Sequence, residues 1–144
     1  MNQLNNNSCL CKDDVLIVDD TPYNIYCLQQ LMIHFHKFEA DEAVSGYLAV
    51  DMVLKRLVNK CCNKMYKLIF MDIQMPDMDG YQTTTKIIKL LKQHGHNGCT
   101  ILALTSNSTD DTEEKALQAG MKEVYRKPMT EEKLRNLLNK YYYN

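Results

Sequence analysis

The chain has 144 residues, with 17 Lys plus Arg against 18 Asp plus Glu, a net charge of -1, and 45% hydrophobic residues. This length predicts about one domain, large enough to fold without disulfides or a structural metal, and leaves no room for a second catalytic or DNA-reading domain. The balanced charge argues against nucleic acid or an anionic membrane as partner, and no apolar run approaches the roughly 20 residues of a membrane-inserted helix.

Residues 1–12, rich in Asn, predict a disordered tail without the apolar core of a signal peptide, and order is expected from Asp13. Val15-Leu16-Ile17-Val18 is an unbroken aliphatic run, ended by Asp19-Asp20-Thr21-Pro22. Pro22 suits the first turn of a helix, and Ile25, Leu28, Leu31, Met32 and Phe35 then recur at helical spacing to about His36. Phe38 to Ala43 predicts a weaker strand. From Gly46 a helix is expected with Val50, Val53, Leu54, Leu57 and Val58 inward, and Asp51, Lys55 and Arg56 mostly off that face.

Leu68-Ile69-Phe70-Met71 is the next strand, ended by Asp72. A loop with Pro76 and Gly80 leads to a helix with Ile87, Ile88 and Leu91 inward, and Met75 and Met78 in that loop are placed toward partners. Ile101 to Leu104 is a strand ended by Thr105-Ser106, followed by a polar helix from Asp110 to Ala119 that Gly120 stops. Lys122 to Arg126 is a short strand ended by Lys127-Pro128. The last helix opens at Thr130 and turns Leu134, Leu137, Leu138 and Tyr141 inward, with Tyr142 and Tyr143 on the surface. Six cysteines (Cys9, Cys11, Cys27, Cys61, Cys62 and Cys99) and the pairs His34/His36 and His94/His96 match no zinc spacing, so free thiols and solvated histidines are expected.

Five strand-helix units, three of whose strands read as unbroken apolar runs, predict a parallel sheet covered on both faces, a doubly wound α/β fold. The polar residues then fall at one edge: Asp19 and Asp20 after the first strand, Asp72 after the third, Thr105 after the fourth and Lys127 after the fifth. Ligands of open α/β sheets bind at that carboxyl edge, where the strand order reverses. With the order 2-1-3-4-5, the three aspartates share one crevice, where mutual repulsion calls for a hard divalent cation such as Mg²⁺. A carboxylate can attack phosphorus to give an aspartyl phosphate, and phosphoryl transfer needs chiefly positioning and charge neutralisation. Asp72 as nucleophile, Mg²⁺ on Asp19 and Asp20, Lys127 as a cation and Thr105 as a hydroxyl donor supply those parts.

Val-Asp-Asp at 18–20, Met-Asp-Ile-Gln-Met-Pro-Asp-Met-Asp-Gly at 71–80, Leu-Thr-Ser at 104–106 and Lys-Pro at 127–128 resemble the receiver domain of two-component response regulators, most closely those attached to hybrid histidine kinases. The resemblance covers residues 13–142 and implies a flavodoxin-like (βα)5 fold with a five-stranded parallel sheet of order 2-1-3-4-5. It implies that Asp72 accepts a phosphoryl group from a phosphohistidine on a histidine kinase or histidine phosphotransfer protein. It assigns Mg²⁺ to Asp20, Asp19, Asp72 and the backbone carbonyl of Gln74, the phosphate-pairing cation to Lys127 and the switch hydroxyl to Thr105. It also implies a cis Lys127-Pro128 bond, and a cytoplasmic location or the cytoplasmic part of a membrane-bound hybrid kinase. The chain would act as a switch for an unknown downstream protein, with only self-phosphorylation and slow autodephosphorylation as chemistry of its own. One position departs from the pattern: Val124 stands where many receivers carry an aromatic second switch residue, and Tyr125 points the other way.

Taken singly, Asp20 reads as a helix cap, Thr105 as a strand-end hydroxyl and Lys127 as a solvated lysine. Their joint placement reverses those readings. A phosphorylation-independent interaction module on the same fold is the alternative. A haloacid-dehalogenase-type phosphatase is disfavoured, because Asp19-Asp20-Thr21 lacks its second spaced acid.

Overall fold

The aliphatic runs form the centre of a parallel sheet in the computed structural model, which describes residues 12–59 and 64–143. In chain order the elements are β1 (Val15–Val18), α1 (Pro22–His36), β2 (Asp41–Ala43), α2 (Gly46–Asn59), β3 (Leu68–Asp72), α3 (Gly80–Gln93), β4 (Thr100–Thr105), α4 (Asp110–Ala119), β5 (Glu123–Arg126) and α5 (Glu131–Tyr141). The five strands pair in parallel in the order β2-β1-β3-β4-β5, the expected doubly wound topology. The expected tail (residues 1–11 of it) and Cys9, Cys11, Cys61 and Cys62 lie outside the described residues, whereas Lys12 is tied to Asp41 and Glu39.

Side-chain alternation splits the core in two. Leu16, Val18, Ile69, Met71, Ile101 and Ala103 face α2, α3 and α4 through Val53, Leu57, Ile87, Leu91 and Ala116. Val15, Ile17, Leu68, Phe70, Leu102 and Leu104 face α1 and α5 through Leu28, Met32, Leu134 and Leu138. β1 and β3 are buried throughout, which is why they read as unbroken apolar runs. Each of their large side chains contributes roughly 1.5–3 kcal/mol by leaving water.

Several expectations are corrected. β2 begins at Asp41 rather than Phe38. The Gln29 side-chain amide takes both backbone groups of Ala40, accepting from its N–H at 2.8 Å and donating to its carbonyl at 2.8 Å, so Ala40 is bonded to a helix side chain. Gln29 is buried, whereas Phe35 is 58% exposed. On α2, Leu54 and Val58 face out and Arg56 faces in. The Arg56 guanidinium is held there by Asp41 Oδ2 at 2.8 Å and by the carbonyls of Asp13 and Lys64, and it stacks 3.9 Å from the Tyr66 ring centroid. Met75 and Met78 are buried, so the loop turns them into the core rather than toward partners. Tyr142 is not a plain surface residue: it packs on Phe38, and its hydroxyl donates to Asp14 Oδ1 at 2.6 Å.

Candidate functional site

Gly80 fixes the approach of α3 to the end of β3. A Cβ there would lie 2.3 Å from the Asp72 carbonyl oxygen and 2.8 Å from Ile73 Cα, so only glycine fits. Its N–H donates to the Ile73 carbonyl at 2.8 Å, and Asp79 caps α3 with a reciprocal Gln82 bond. The loop between Asp72 and Gly80 is thereby pinned at both ends, with Asp77 in the left-handed region at φ 67.

β1 and β3 are neighbours, and their ends bring the three aspartates together. One carboxylate oxygen from each of Asp19, Asp20 and Asp72 lies within 4.8 Å of the other two. Asp19 is buried and also organises the start of α1, accepting from Thr21 N–H at 2.9 Å and from the Asn24 amide at 3.4 Å. The N-cap of α1 is Thr21, whose side chain makes no capping bond, and Asp19 rather than Asp20 holds the turn into the helix through the Thr21 N–H. Asn24 was not singled out from the sequence; its only signal is its place in the first turn of the helix that follows the aspartates.

β5 supplies the cation. The Lys127 N–H continues the ladder onto the Thr105 carbonyl at 2.8 Å, and the Lys127-Pro128 peptide bond is cis. The ammonium donates to Asp19 Oδ2 at 2.7 Å and Asp72 Oδ1 at 3.1 Å. One cation faces three carboxylates. Burial, reinforced by the charge of Asp19, pushes the Asp72 carboxyl up to about 6 despite Lys127. Burial opposes the Lys127 charge, but bonds to Asp19 and Asp72 outweigh it and hold its pKa above the usual value. A compact carboxylate set left short of positive charge fits a hard divalent cation.

Thr105 stands at the end of β4, but its hydroxyl is turned to its own loop. It donates to the Asn107 carbonyl at 2.8 Å and accepts the Asn107 N–H at 3.2 Å. Gln74, two residues beyond Asp72, is exposed and lines the cavity beside the crevice with Thr105 and Asn107. Val124 pairs with Ala103 and packs on the core under α3 and α4, while Tyr125 packs on the opposite face, as strand alternation requires.

Residues 15–139 match the family model of the response regulator receiver domain. The chain is 35% identical over 127 residues to hybrid signal transduction histidine kinase L of Dictyostelium discoideum, a match covering 88% of this chain and 7% of that kinase. The chain thus spans a small fraction of the length of the curated relatives it matches. Among solved structures it is similar to the receiver domain of the histidine kinase CKI1 from Arabidopsis thaliana complexed with Mg²⁺, with TM-score 0.76, 28% identity and coverage of 88% of this chain and 89% of that one. It is equally similar in fold to a chain in the co-crystal of the Saccharomyces cerevisiae histidine phosphotransfer protein Ypd1 with the receiver domain of Ssk1, with TM-score 0.76, 27% identity and coverage of 91% and 89%. The chain belongs to the response regulator receiver domain family of two-component signalling.

Proposed function

We propose that this receiver accepts a phosphoryl group on Asp72 and passes the change to another protein through the loop after β4. The observation that carries this is the shared crevice of Asp19, Asp20 and Asp72 with Lys127 bridging two of them. A buried carboxylate held beside a fixed ammonium is positioned to act as a nucleophile. An Asp72 oxygen attacks the phosphorus of a phosphohistidine, the new O–P bond forms as the P–N bond breaks, and the imidazole leaves with the electron pair. Lys127 pairs with the arriving phosphoryl oxygens. Asp19, Asp20, Asp72 and the Gln74 carbonyl would hold Mg²⁺, which would supply neutralisation of the charge that builds on the phosphoryl group. Thr105 leaves Asn107 and donates its hydroxyl to a phosphoryl oxygen, which moves the loop into α4.

The donor is a histidine phosphotransfer protein or a histidine kinase, a reading supported by the likeness to the chain co-crystallised with Ypd1. Residues 13–142 form the switch unit. A cytoplasmic placement belongs to the same proposal; among the described residues, no helix is long and apolar enough to cross a membrane. Val124 supplies an aliphatic contact that repacks rather than a ring that swings.

The test is incubation with phosphoramidate and Mg²⁺ followed by intact-mass measurement. The wild type gains one phosphoryl group and Asp72→Asn gains none. Equal gain by both, or none by the wild type, overturns the assignment.

A further inference from the structure

Beside the acidic crevice, between the start of α3 and the start of α4, lies a cavity of about 550 Å³ lined in part by Met75, Tyr81, Thr105, Asn107, Thr112 and Lys115. Its rim contains both the hydroxyl that the phosphoryl reading sets in motion and a tyrosine with no part in that reading. Tyr81 is half-buried, its ring packed against the core under α3, and its hydroxyl donates across to the Thr112 carbonyl in the first turn of α4 at 3.4 Å. Tyrosine combines an apolar body with a polar tip that usually finds a partner when buried, so this bond ties the two helices at one point.

Thr112 also belongs to the cap of α4. Its N–H donates to Thr109 Oγ1 at 3.2 Å, and the two threonine hydroxyls lie 3.0 Å apart. Between Thr105 and this cap runs a loop of three residues, 106–108, and Asn107 within it holds the Thr105 hydroxyl by two hydrogen bonds. Tyr81, Thr112, the Thr109 cap, Asn107 and Thr105 therefore form one short connected path. Moving Thr105 toward Asp72 pulls on every member of it, and the cavity gives the Tyr81 ring space to turn when its bond to Thr112 breaks.

We propose that Tyr81 is a positioning residue that latches the first turn of α4 in the arrangement where Thr105 is turned away from Asp72. The proposal rests on the phosphoacceptor reading, because it concerns the motion that reading assigns to Thr105. A contact made only in the unphosphorylated arrangement lowers the population competent to hold a phosphoryl group, and removing it tightens binding of a phosphoryl mimic.

The experiment compares wild type and Tyr81→Phe, which keeps the ring and deletes the hydroxyl. Beryllofluoride affinity in excess Mg²⁺ is measured by titration, and amide hydrogen exchange over residues 106–112 is measured without ligand. Tyr81→Phe is expected to bind about two- to fivefold tighter, the worth of one net hydrogen bond lost from the competing state. It is also expected to exchange faster over 106–112. A merely structural loss would not tighten binding. If the wild type binds beryllofluoride and the variant binds it equally or more weakly, the latch is overturned and the acceptor reading stands. If the wild type shows no binding at Asp72, judged against Asp72→Asn, the acceptor reading fails and takes the latch with it.

Discussion

Replacing Asp72 by asparagine should stabilise the metal-free protein at pH 8, the opposite of what removing a bonded core residue usually does. The carboxyl is 4% exposed and is pushed up to about 6 from 3.8 by burial and by Asp19. Holding it ionised at pH 8 therefore costs the folded chain roughly 3 kcal/mol relative to the unfolded chain. Between about pH 4 and pH 6 the folded chain keeps the proton and the unfolded chain does not. Wild-type stability from this group rises as pH falls through that window, and it is lost as pH climbs back through it. Asparagine carries no charge at either pH and can still accept from Lys127. Urea unfolding in a chelating buffer should show Asp72→Asn gaining up to about 3 kcal/mol at pH 8, shrinking below about 1 kcal/mol at pH 4. Saturating Mg²⁺ should shrink the pH 8 difference, because bound cation stabilises the wild type by mass action. A variant less stable than wild type at pH 8, or one with the same gain at both pH values, would refute the electrostatic account of the crevice.

Three further outcomes follow from neighbouring geometry. Lys127→Met should weaken phosphoryl acceptance yet tighten Mg²⁺ binding at least tenfold in a calorimetric titration, since a unit charge about 5 Å from a doubly charged cation opposes it by roughly 7 kcal/mol at an effective dielectric of about 20, of which a fifth gives tenfold. Gly80→Ala should cost about 1–3 kcal/mol in urea unfolding and slow phosphorylation, because its Cβ meets the backbone of Asp72 and Ile73, which has no flexible end to yield. Arg56→Met should cost about 3–5 kcal/mol by leaving Asp41 without its buried cation, with Mg²⁺ affinity unchanged, because the Arg56–Asp41 pair lies at the β2 edge, away from the strand ends that carry the acidic crevice.

The central strands β1 and β3 were legible because each is buried on both faces, so Val15–Val18 and Leu68–Met71 had no polar residue to break the run. The helix faces were less legible. Arg56 reads as solvent-facing by chemistry, and the approach of Asp41, Tyr66 and the carbonyls of Lys12, Asp13 and Lys64 makes its burial tolerable. Those partners come from β2 and from the chain before β1 and β3, and no periodicity on α2 encodes them. Gln29 is the same case: its amide substitutes for a strand neighbour of Ala40, which shortens β2 at the sheet edge. Met75 and Met78 were misplaced because a loop with Pro76 reads as surface, whereas the tight seat of Gly80 folds that loop back over the core.

The candidate site divides along the same line. Asp19, Asp20, Asp72 and Lys127 were recognisable because strand ends are positions, and parallel topology converts positions into proximity. The rotamer of Thr105 was not, because a strand-end position does not say which neighbour its hydroxyl will bond. Without a phosphoryl oxygen to bond, the Asn107 backbone is the local partner, two residues away and always present. The same bonds that satisfy the hydroxyl also order the start of the loop into α4. Under the proposed acceptor role, a phosphoryl oxygen on Asp72 would have to outcompete these two local hydrogen bonds, and winning would reposition that loop. On that reading the conformational response would be set by the loop that competes for Thr105 as much as by a phosphoryl group on Asp72.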